Sequence, residues 1–275
     1  MVRRRGRRRR QRERRLRRLA LINILVVAGA IAGGFALMAV LSPKPFDQDS
    51  LCVISDELPP HTAVIIDKTD EYTEQQAGLI ATAVRRAQQR LAIGERFTLF
   101  ELDAAGRFDP RGEFSLCNPG RGNQVNPLFR NPARIEERYD RMFETPFEAV
   151  LADLVVPKEA PSSPILEAIA RLSQTEFFGA DAPERELILI SDMLQNSDLF
   201  SAYGGGGTVM PDRTRPAADV ADDVIARFGD NLRGVNLVIR LISRNRQVDL
   251  QRGELRAYWD EVFAELGINA EWRDL

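Results

Sequence analysis

One stretch of the chain, residues 19–41, contains 23 residues without a single charged side chain, and it restricts the architecture more than any other feature. As an α-helix this stretch is about 35 Å long, which is enough to cross a hydrocarbon core of about 30 Å. The apolar part of a signal peptide is shorter, at about 7–15 residues. We therefore predict an uncleaved, single-pass signal-anchor helix at residues 19–41 rather than a cleaved leader.

The charges are distributed very unevenly on the two sides of this stretch. Residues 1–18 contain twelve arginines and one acid, a net charge of +11, whereas the rest of the chain has 26 basic and 39 acidic residues, a net charge of −13. Because basic flanks stay in the cytoplasm, we expect residues 42–275 on the periplasmic side of the inner membrane. The arginine tail is then expected to contact anionic lipid headgroups, and contact with nucleic acid phosphates is the alternative. The acidic exported part excludes nucleic acid as its partner.

The apolar stretch also contains a G-x-x-x-G spacing formed by Gly29 and Gly33. This spacing lets two helix backbones approach closely, so it predicts a homodimer as one alternative. Small residues are common in membrane helices in any case, and the other interpretation is a monomeric anchor.

Beyond the anchor, residues 42–60 contain four prolines and little periodicity, which predicts a linker. Residues 61–275 then alternate between apolar runs and amphipathic stretches, and the runs at 62–66, 186–191 and 235–243 are almost continuously apolar. Further strands are predicted at 96–102, 113–117 and 268–272, and helices at 73–91, 132–156, 163–178, 217–228 and 253–266. Continuous apolar strands alternating with helices are typical of a mainly parallel sheet covered on both faces. The prediction is one doubly wound α/β domain over residues 61–275.

Polar residues follow the strands where such sheets bind ligands, at the carboxyl ends of the central strands. Asp67 ends the first strand and is followed by Thr69 and Glu71. Asp192 follows the strand at 186–191, and Ser163 lies at the start of the helix at 163–178. Carboxylate and hydroxyl oxygens are the ligands that Mg²⁺ prefers. The alternative interpretation is structural, because Asp, Ser and Thr also cap helices and satisfy turns.

On these residues the domain resembles a von Willebrand factor A-type domain over about 215 residues. That family carries a metal-ion-dependent adhesion site: D-x-S-x-S after the first strand, a Thr before a later helix and an Asp after the central strand. The matching residues here are Asp67, Thr69, Ser163 and Asp192. Glu71 stands in place of the second serine, as a further ligand or as a group that fills the site, and Met193 replaces the usual glycine.

The resemblance implies a protein-binding module with Mg²⁺ or another divalent cation, whose open position is completed by an acidic side chain of a membrane or extracytoplasmic protein. Two alternatives stay open. The segment Asp67-Lys68-Thr69, followed by Thr73, is also similar to the D-K-T-G-T-x-T motif of haloacid-dehalogenase-type phosphotransferases. This would imply a phosphohydrolase with Asp67 as nucleophile and Asp192 as metal ligand. The other alternative is a metal-free assembly scaffold, and we expect no enzyme activity.

The only two cysteines, Cys52 and Cys117, both fall in the part that we expect outside the cytoplasm, where disulfides persist. A single intramolecular disulfide is predicted, which would hold the linker against the domain. Two unrelated thiols, or Cys52 pairing between two chains, are the alternatives.

Overall fold

The computed structural model describes residues 3–41, 45–102, 109, 111–125, 127, 131–156, 162–203 and 215–275. Its contacts divide the chain into two units, Met1–Pro45 and Phe46–Leu275. The first unit contains one helix, α1 (Arg3–Leu41). Its stretch Arg15–Leu37, with a mean hydropathy of 2.2, is long and apolar enough to cross a membrane or to serve as a signal sequence. The predicted N-terminal apolar helix is therefore present.

The second unit is built on a six-stranded sheet with the order β3-β2-β1-β4-β5-β6. Its strands are β1 (His61–Asp67), β2 (Arg96–Leu102), β3 (Phe114–Cys117), β4 (Arg185–Ser191), β5 (Asn236–Leu241) and β6 (Asn269–Asp274). Every neighbouring pair is parallel except β2 and β3. This arrangement confirms the predicted doubly wound, mainly parallel α/β fold.

Helices cover both faces of the sheet. They are α2 (Glu74–Arg90), α3 (Pro132–Tyr139), α4 (Thr145–Leu154), α5 (Ile165–Leu172), α6 (Ala217–Phe228), α7 (Val248–Arg252) and α8 (Glu254–Glu265). Successive residues of the central strands point to opposite faces: Ile65 packs in the core formed with α5, α6 and α8, and Val64 in the core formed with α2 and α4. A strand that is buried on both faces reads as a continuous apolar run, which explains the sequence pattern.

Two helices differ from the sequence prediction. The helix predicted at 163–178 is shorter, since α5 ends at Leu172. There the Ser173 hydroxyl donates to the Ala170 carbonyl and the Thr175 hydroxyl to the Leu172 carbonyl, so these side chains compete with the helical backbone pattern. The helix predicted at 132–156 is interrupted by a π-helical turn, Asp140–Glu144, and Pro146 lies in the first turn of α4.

A disulfide joins Cys52 to Cys117, with their Cα atoms 4.8 Å apart, as predicted. Part of the predicted linker therefore packs on the domain. Phe46 pairs with Val53 in an antiparallel bridge, and the Cys117 amide donates to the Ser50 carbonyl. The disulfide fixes this segment beside the amino end of β2.

Candidate functional site

The candidate site lies where the strand order reverses. The chain runs from β1 to its neighbour β2, while β4 lies on the other side of β1. A crevice opens at such a switch point beyond the carboxyl ends of the strands. Asp67 ends β1 and Ser191 ends β4, so both side chains lie at this point.

The Asp67 carboxylate is the centre of a buried hydrogen-bond network. Its Oδ1 accepts hydrogen bonds from the Thr69 amide at 3.1 Å and the Thr69 hydroxyl at 2.6 Å. Its Oδ2 accepts from the Ser191 hydroxyl at 2.7 Å and the Ser163 hydroxyl at 3.2 Å. A carboxylate offers about four lone-pair sites, so these four donors fill its capacity. The structure thus brings Asp67, Thr69 and Ser163 together and adds Ser191.

The loop after β4 holds Ser163 in place. The Ser163 amide donates to the Asn196 carbonyl at 3.1 Å, and the Asn196 amide donates back to the Ser163 carbonyl at 2.9 Å. The side-chain carbonyl of Gln195, which is fully buried, accepts from the Leu166 amide at 3.0 Å. Because the first amides of a helix lack helical partners, this contact caps α5. The Ser163 hydroxyl is therefore fixed toward Asp67.

Asp192 is neutralised by an arginine. Its Oδ2 accepts a hydrogen bond from Arg244 Nε at 2.7 Å, and its Oδ1 accepts from the Leu194 amide at 3.0 Å. The side chain of Asp192 is 3% exposed and that of Arg244 is 18% exposed. Burial raises the pKa of Asp192 to about 7, with a further rise from the charge of Asp67, and Arg244 opposes both effects. Arg244 Nη1 also donates to the Glu71 carbonyl.

The remaining charged residues of the motif point elsewhere. The Glu71 side chain is exposed, so this residue contributes its backbone carbonyl to the network rather than its carboxylate. Lys68 Nζ forms a salt bridge with Glu101 Oε2 at 2.9 Å and donates to the Asp153 carbonyl at 3.4 Å. Neither Lys68 nor Glu71 is therefore the group that neutralises the site.

Met193 has a left-handed backbone, with φ of 62°. Side chains with a Cβ rarely adopt this conformation, whereas glycine adopts it readily. The Met193 amide donates to the Ser191 hydroxyl at 2.8 Å, and its carbonyl accepts from Trp259 Nε1 at 3.0 Å. The fully buried Trp259 ring thus holds a strained turn beside Asp192.

Two tyrosines lie close to these carboxylates. The Tyr72 hydroxyl is buried and has no hydrogen-bond partner among the residues that the structure describes. Burial, followed by the charges of Asp67 and Glu101, raises its pKa to about 12. The pKa of Tyr203 is raised by burial and then by Asp70 and Asp192. Tyr203 is 37% exposed, so it forms part of the outer rim.

The donor set has the chemistry of a hard-cation site, with two carboxylates and three hydroxyls. Its contacts do not fit one, because Asp67 already accepts four hydrogen bonds and Asp192 is paired with a guanidinium. Within the described ranges, no group of three or more His, Cys, Asp or Glu side chains is placed to hold a metal ion. A cation would have to displace Arg244 from Asp192.

Sequence reasoning missed Ser191, Gln195 and Arg244. Arg244 carried a usable signal, because it follows the end of β5 by three positions and the ends of parallel strands meet at one edge of the sheet. Gln251 also contributes, since its Nε2 donates to the Asp192 carbonyl at 2.8 Å and its Oε1 accepts from the Arg244 amide at 2.8 Å. Gln251 lies on α7, a helix that the sequence pattern did not indicate.

No family model matches the chain, and no curated protein matches it. Similar solved structures include the pilus adhesin SpaC from Lactobacillus rhamnosus GG in its open conformation, with 11% identity and a TM-score of 0.42. That similarity covers 84% of this chain and 29% of SpaC, so the chain spans less than a third of the adhesin. The conserved hypothetical protein BatB from Bacteroides thetaiotaomicron has 12% identity and a TM-score of 0.33, over 78% of this chain and 90% of BatB. The fold assignment therefore rests on the strand order of this chain.

Proposed function

We propose that the chain is a membrane-anchored, extracytoplasmic protein-binding module of von Willebrand factor A type. Its partner binds beyond the carboxyl ends of β1 and β4. The observation that carries this proposal is the closed polar network around Asp67, because it lies at the switch point where doubly wound sheets bind ligands. The exposed Glu71 and the partly exposed Asp70 and Tyr203 form the rim that the partner contacts.

Two features support the proposed location. The Arg15–Leu37 stretch has the length and hydropathy of a membrane span, and twelve arginines lie within the first 18 residues. The Cys52–Cys117 disulfide is of a kind that persists in oxidising compartments. The N-terminus is then cytoplasmic, and residues 42–275 lie in the periplasm.

The contacts of Asp67 favour binding over catalysis. A phosphohydrolase would need an Asp67 oxygen free to attack a phosphoryl group. Both oxygens accept hydrogen bonds, and the side chain is 5% exposed. Lys68, the nearest lysine in the sequence, pairs with Glu101 instead of lying against Asp67. The module therefore acts by presenting a fixed surface.

Arg244 is the resident cation of the site in this proposal. Its guanidinium is always charged and presents several donors in a fixed plane, so it holds Asp192 and the Glu71 carbonyl at once. A metal-bridged mode of binding would require Mg²⁺ to take the position of Arg244 beside Asp192. We therefore propose that partner binding does not depend on a divalent cation.

Site-specific photocrosslinking in intact cells tests this function. The full chain would carry a photoreactive amino acid at Glu71 or, as a matched control, at Asp230. Both are exposed acids, but Asp230 precedes β5 and lies at the amino end of the sheet. We expect a discrete crosslinked protein from position 71 alone, and we expect it unchanged when the cells are treated with a chelator before irradiation.

The other possible results of the crosslinking would each contradict one part of the proposal. Identical products from positions 71 and 230, or none from either, would contradict a partner surface at the carboxyl end. A product from position 71 that disappears with the chelator would contradict the cation-independent mode and favour the metal-bridged one.

A further inference from the structure

A second surface lies at the opposite end of the domain, around Phe46. Phe46 pairs with Val53, whose neighbour Ile54 is 64% exposed. Gly94 lies beside Val53, and the residue before it, Ile93, is 56% exposed. We call the residues Phe46, Val53, Ile54 and Ile93 the Phe46 patch.

Three arginines border the Phe46 patch. Arg134, Arg138 and Arg141 follow each other at helical spacing along α3 and the turn after it, so they share one side of the helix. They line one groove together with Ile135 and Glu137. The Arg138 guanidinium lies 4.9 Å from the centre of the Phe46 ring. We call these three residues the arginine row.

The arginine row has unused binding capacity. Among the described residues, none of the three forms a salt bridge, and Arg138 Nε is buried without a hydrogen-bond partner. The nearby acids Glu136 and Glu144 are engaged elsewhere, with Arg121 and Gln88 respectively. Glu137 and Asp140 are exposed on the same segment, so the row offers separate guanidinium groups to individual phosphates rather than a uniformly positive face.

The sequence places the Phe46 patch close to a bilayer. Phe46 follows the last residue of α1, Leu41, by five positions, a length of chain that reaches at most about 17 Å. If α1 crosses the membrane as proposed above, Phe46 lies within reach of the lipid headgroups. Exposed apolar side chains beside arginines are the combination that binds at the boundary between headgroups and acyl chains.

We infer that the Phe46 patch and the arginine row dock on the anionic phospholipid leaflet from which the chain emerges. Ile54 and Ile93 enter the interface, and the three arginines bind lipid phosphates. Asp56 and Glu57, which follow Ile54, are exposed and remain on the aqueous side. Since the Phe46 patch lies at the amino end of the sheet, docking directs the carboxyl-end site away from the bilayer. This inference rests on the proposed anchor.

Fluorescence quenching by brominated lipid tests the docking. The full chain would be reconstituted in vesicles of phosphatidylcholine and phosphatidylglycerol with bromine on the acyl chains. The probes are Ile54→Trp and, as matched control, Val156→Trp, because Val156 is 56% exposed and follows Asp153, which contacts Lys68 just beyond β1. The signals of Trp259 and Trp272 are common to both variants and are subtracted. We expect at least twofold quenching for Ile54→Trp and none for Val156→Trp.

The arginine row is tested in the same vesicles. Three substitutions are combined with Ile54→Trp in one chain: Arg134→Gln, Arg138→Gln and Arg141→Gln. Together they should abolish at least half of the quenching while the melting temperature stays unchanged. The same three substitutions with full quenching retained would overturn the role of the arginines. Should the triple variant unfold, Arg134→Gln with Arg141→Gln is the substitute, since neither exposed side chain is in the core.

Flotation of the vesicles separates failure of the docking from failure of the anchor. A chain that floats with the vesicles but has equal quenching at both probes, or none at either, would overturn the docking surface and leave the anchor intact. A chain that does not float would overturn the proposed anchor and this inference with it.

Discussion

Charged side chains are arranged in opposite ways at the two ends of the sheet. At the carboxyl end, Asp67 and Asp192 are buried, and hydroxyls and Arg244 satisfy their oxygens. At the amino end, Arg134 and Arg141 are exposed and form no salt bridge with the described residues, and Ile54 and Ile93 are exposed as well. A closed network favours one fixed geometry, whereas open charges and apolar side chains favour contact with an external surface.

Because of this difference, we expect the two ends of the sheet to respond differently to substitution. Buried polar groups are costly unless each is paired, so the carboxyl end is expected to be intolerant of substitution. At the amino end a covalent bond, Cys52–Cys117, holds the segment around Leu51 on the domain. The predictions below test this contrast, beginning with the largest effect.

Arg244→Gln should give the largest loss of stability. Above pH 7, where Asp192 is ionised, it leaves a buried carboxylate without its cation, and removing one partner of a buried ion pair costs about 3–5 kcal/mol. The free energy of unfolding would be measured from urea titrations of the full chain in micelles. As a matched control, Arg227→Gln breaks an exposed contact with Asp223 and should change stability by less than about 1 kcal/mol. Equal effects of the two variants would contradict a special role for Arg244.

The double variant Cys52→Ser, Cys117→Ser should give the next largest effect. The disulfide spans a sequence separation of 65 residues, and loss of such a cross-link costs about 2–4 kcal/mol. Urea midpoints with and without reductant measure this effect. Reductant should lower the midpoint of the wild type and leave that of the double variant unchanged. An unchanged wild-type midpoint would mean that the amino end does not depend on the bond.

Asp192 should make stability depend on pH. Its pKa is about 7 in the folded protein and near 3.8 in the unfolded chain, so the folded state binds more protons between these values. The contribution of Asp192 to stability is therefore greatest below about pH 4 and is lost as the pH rises through 7. The difference in unfolding free energy between wild type and Asp192→Asn should therefore change between about pH 4 and pH 7.

A second titrating group gives the opposite slope and serves as a control. Burial lowers the pKa of His61 to about 4, against 6.5 in the unfolded chain. Its contribution is present above pH 6.5 and is lost as the pH falls through 4. His61→Gln should remove the loss of stability at acid pH. It should not change the pH range over which Asp192→Asn differs from the wild type. A flat difference curve for Asp192→Asn would contradict a buried, titrating carboxylate at the site.

The smallest effect is expected at Met193. Replacing this buried side chain removes packing in either variant, but only glycine relieves the left-handed backbone, which costs about 1–2 kcal/mol for other residues. Met193→Gly should therefore be more stable than Met193→Ala by about 1 kcal/mol, the reverse of the usual order. Urea midpoints of the two variants compare them directly, and a more stable alanine variant would contradict backbone strain at this turn.

The fold was predictable because its strands carry a strong local signal. Continuous apolar runs such as 62–66 and 186–191 indicate strands buried on both faces, and the alternation with helices indicates parallel pairing. The disulfide was equally predictable, because two cysteines allow only one intramolecular pairing. Asp67, Thr69 and Ser163 could also be grouped, because strand ends converge at one edge of the sheet.

The rest of the site depends on contacts that local patterns do not encode. Arg244 and Asp192 are 52 positions apart, and their pairing requires α7 to place Gln251 against the Arg244 amide. α7 has five residues, too few for a helical period to be visible. The end of α5 depends on the hydroxyls of Ser173 and Thr175, which form hydrogen bonds in many contexts.

The most direct test of Arg244 as the resident cation is the melting temperature of the full chain in magnesium, manganese and chelator. A cation that binds only the folded state adds about 2.7 kcal/mol at a hundredfold excess over its dissociation constant. We predict equal melting temperatures of the wild type in all three conditions. A higher melting temperature with either metal, lost in both Asp67→Ala and Asp192→Ala, would contradict this role and restore the metal-bridged site.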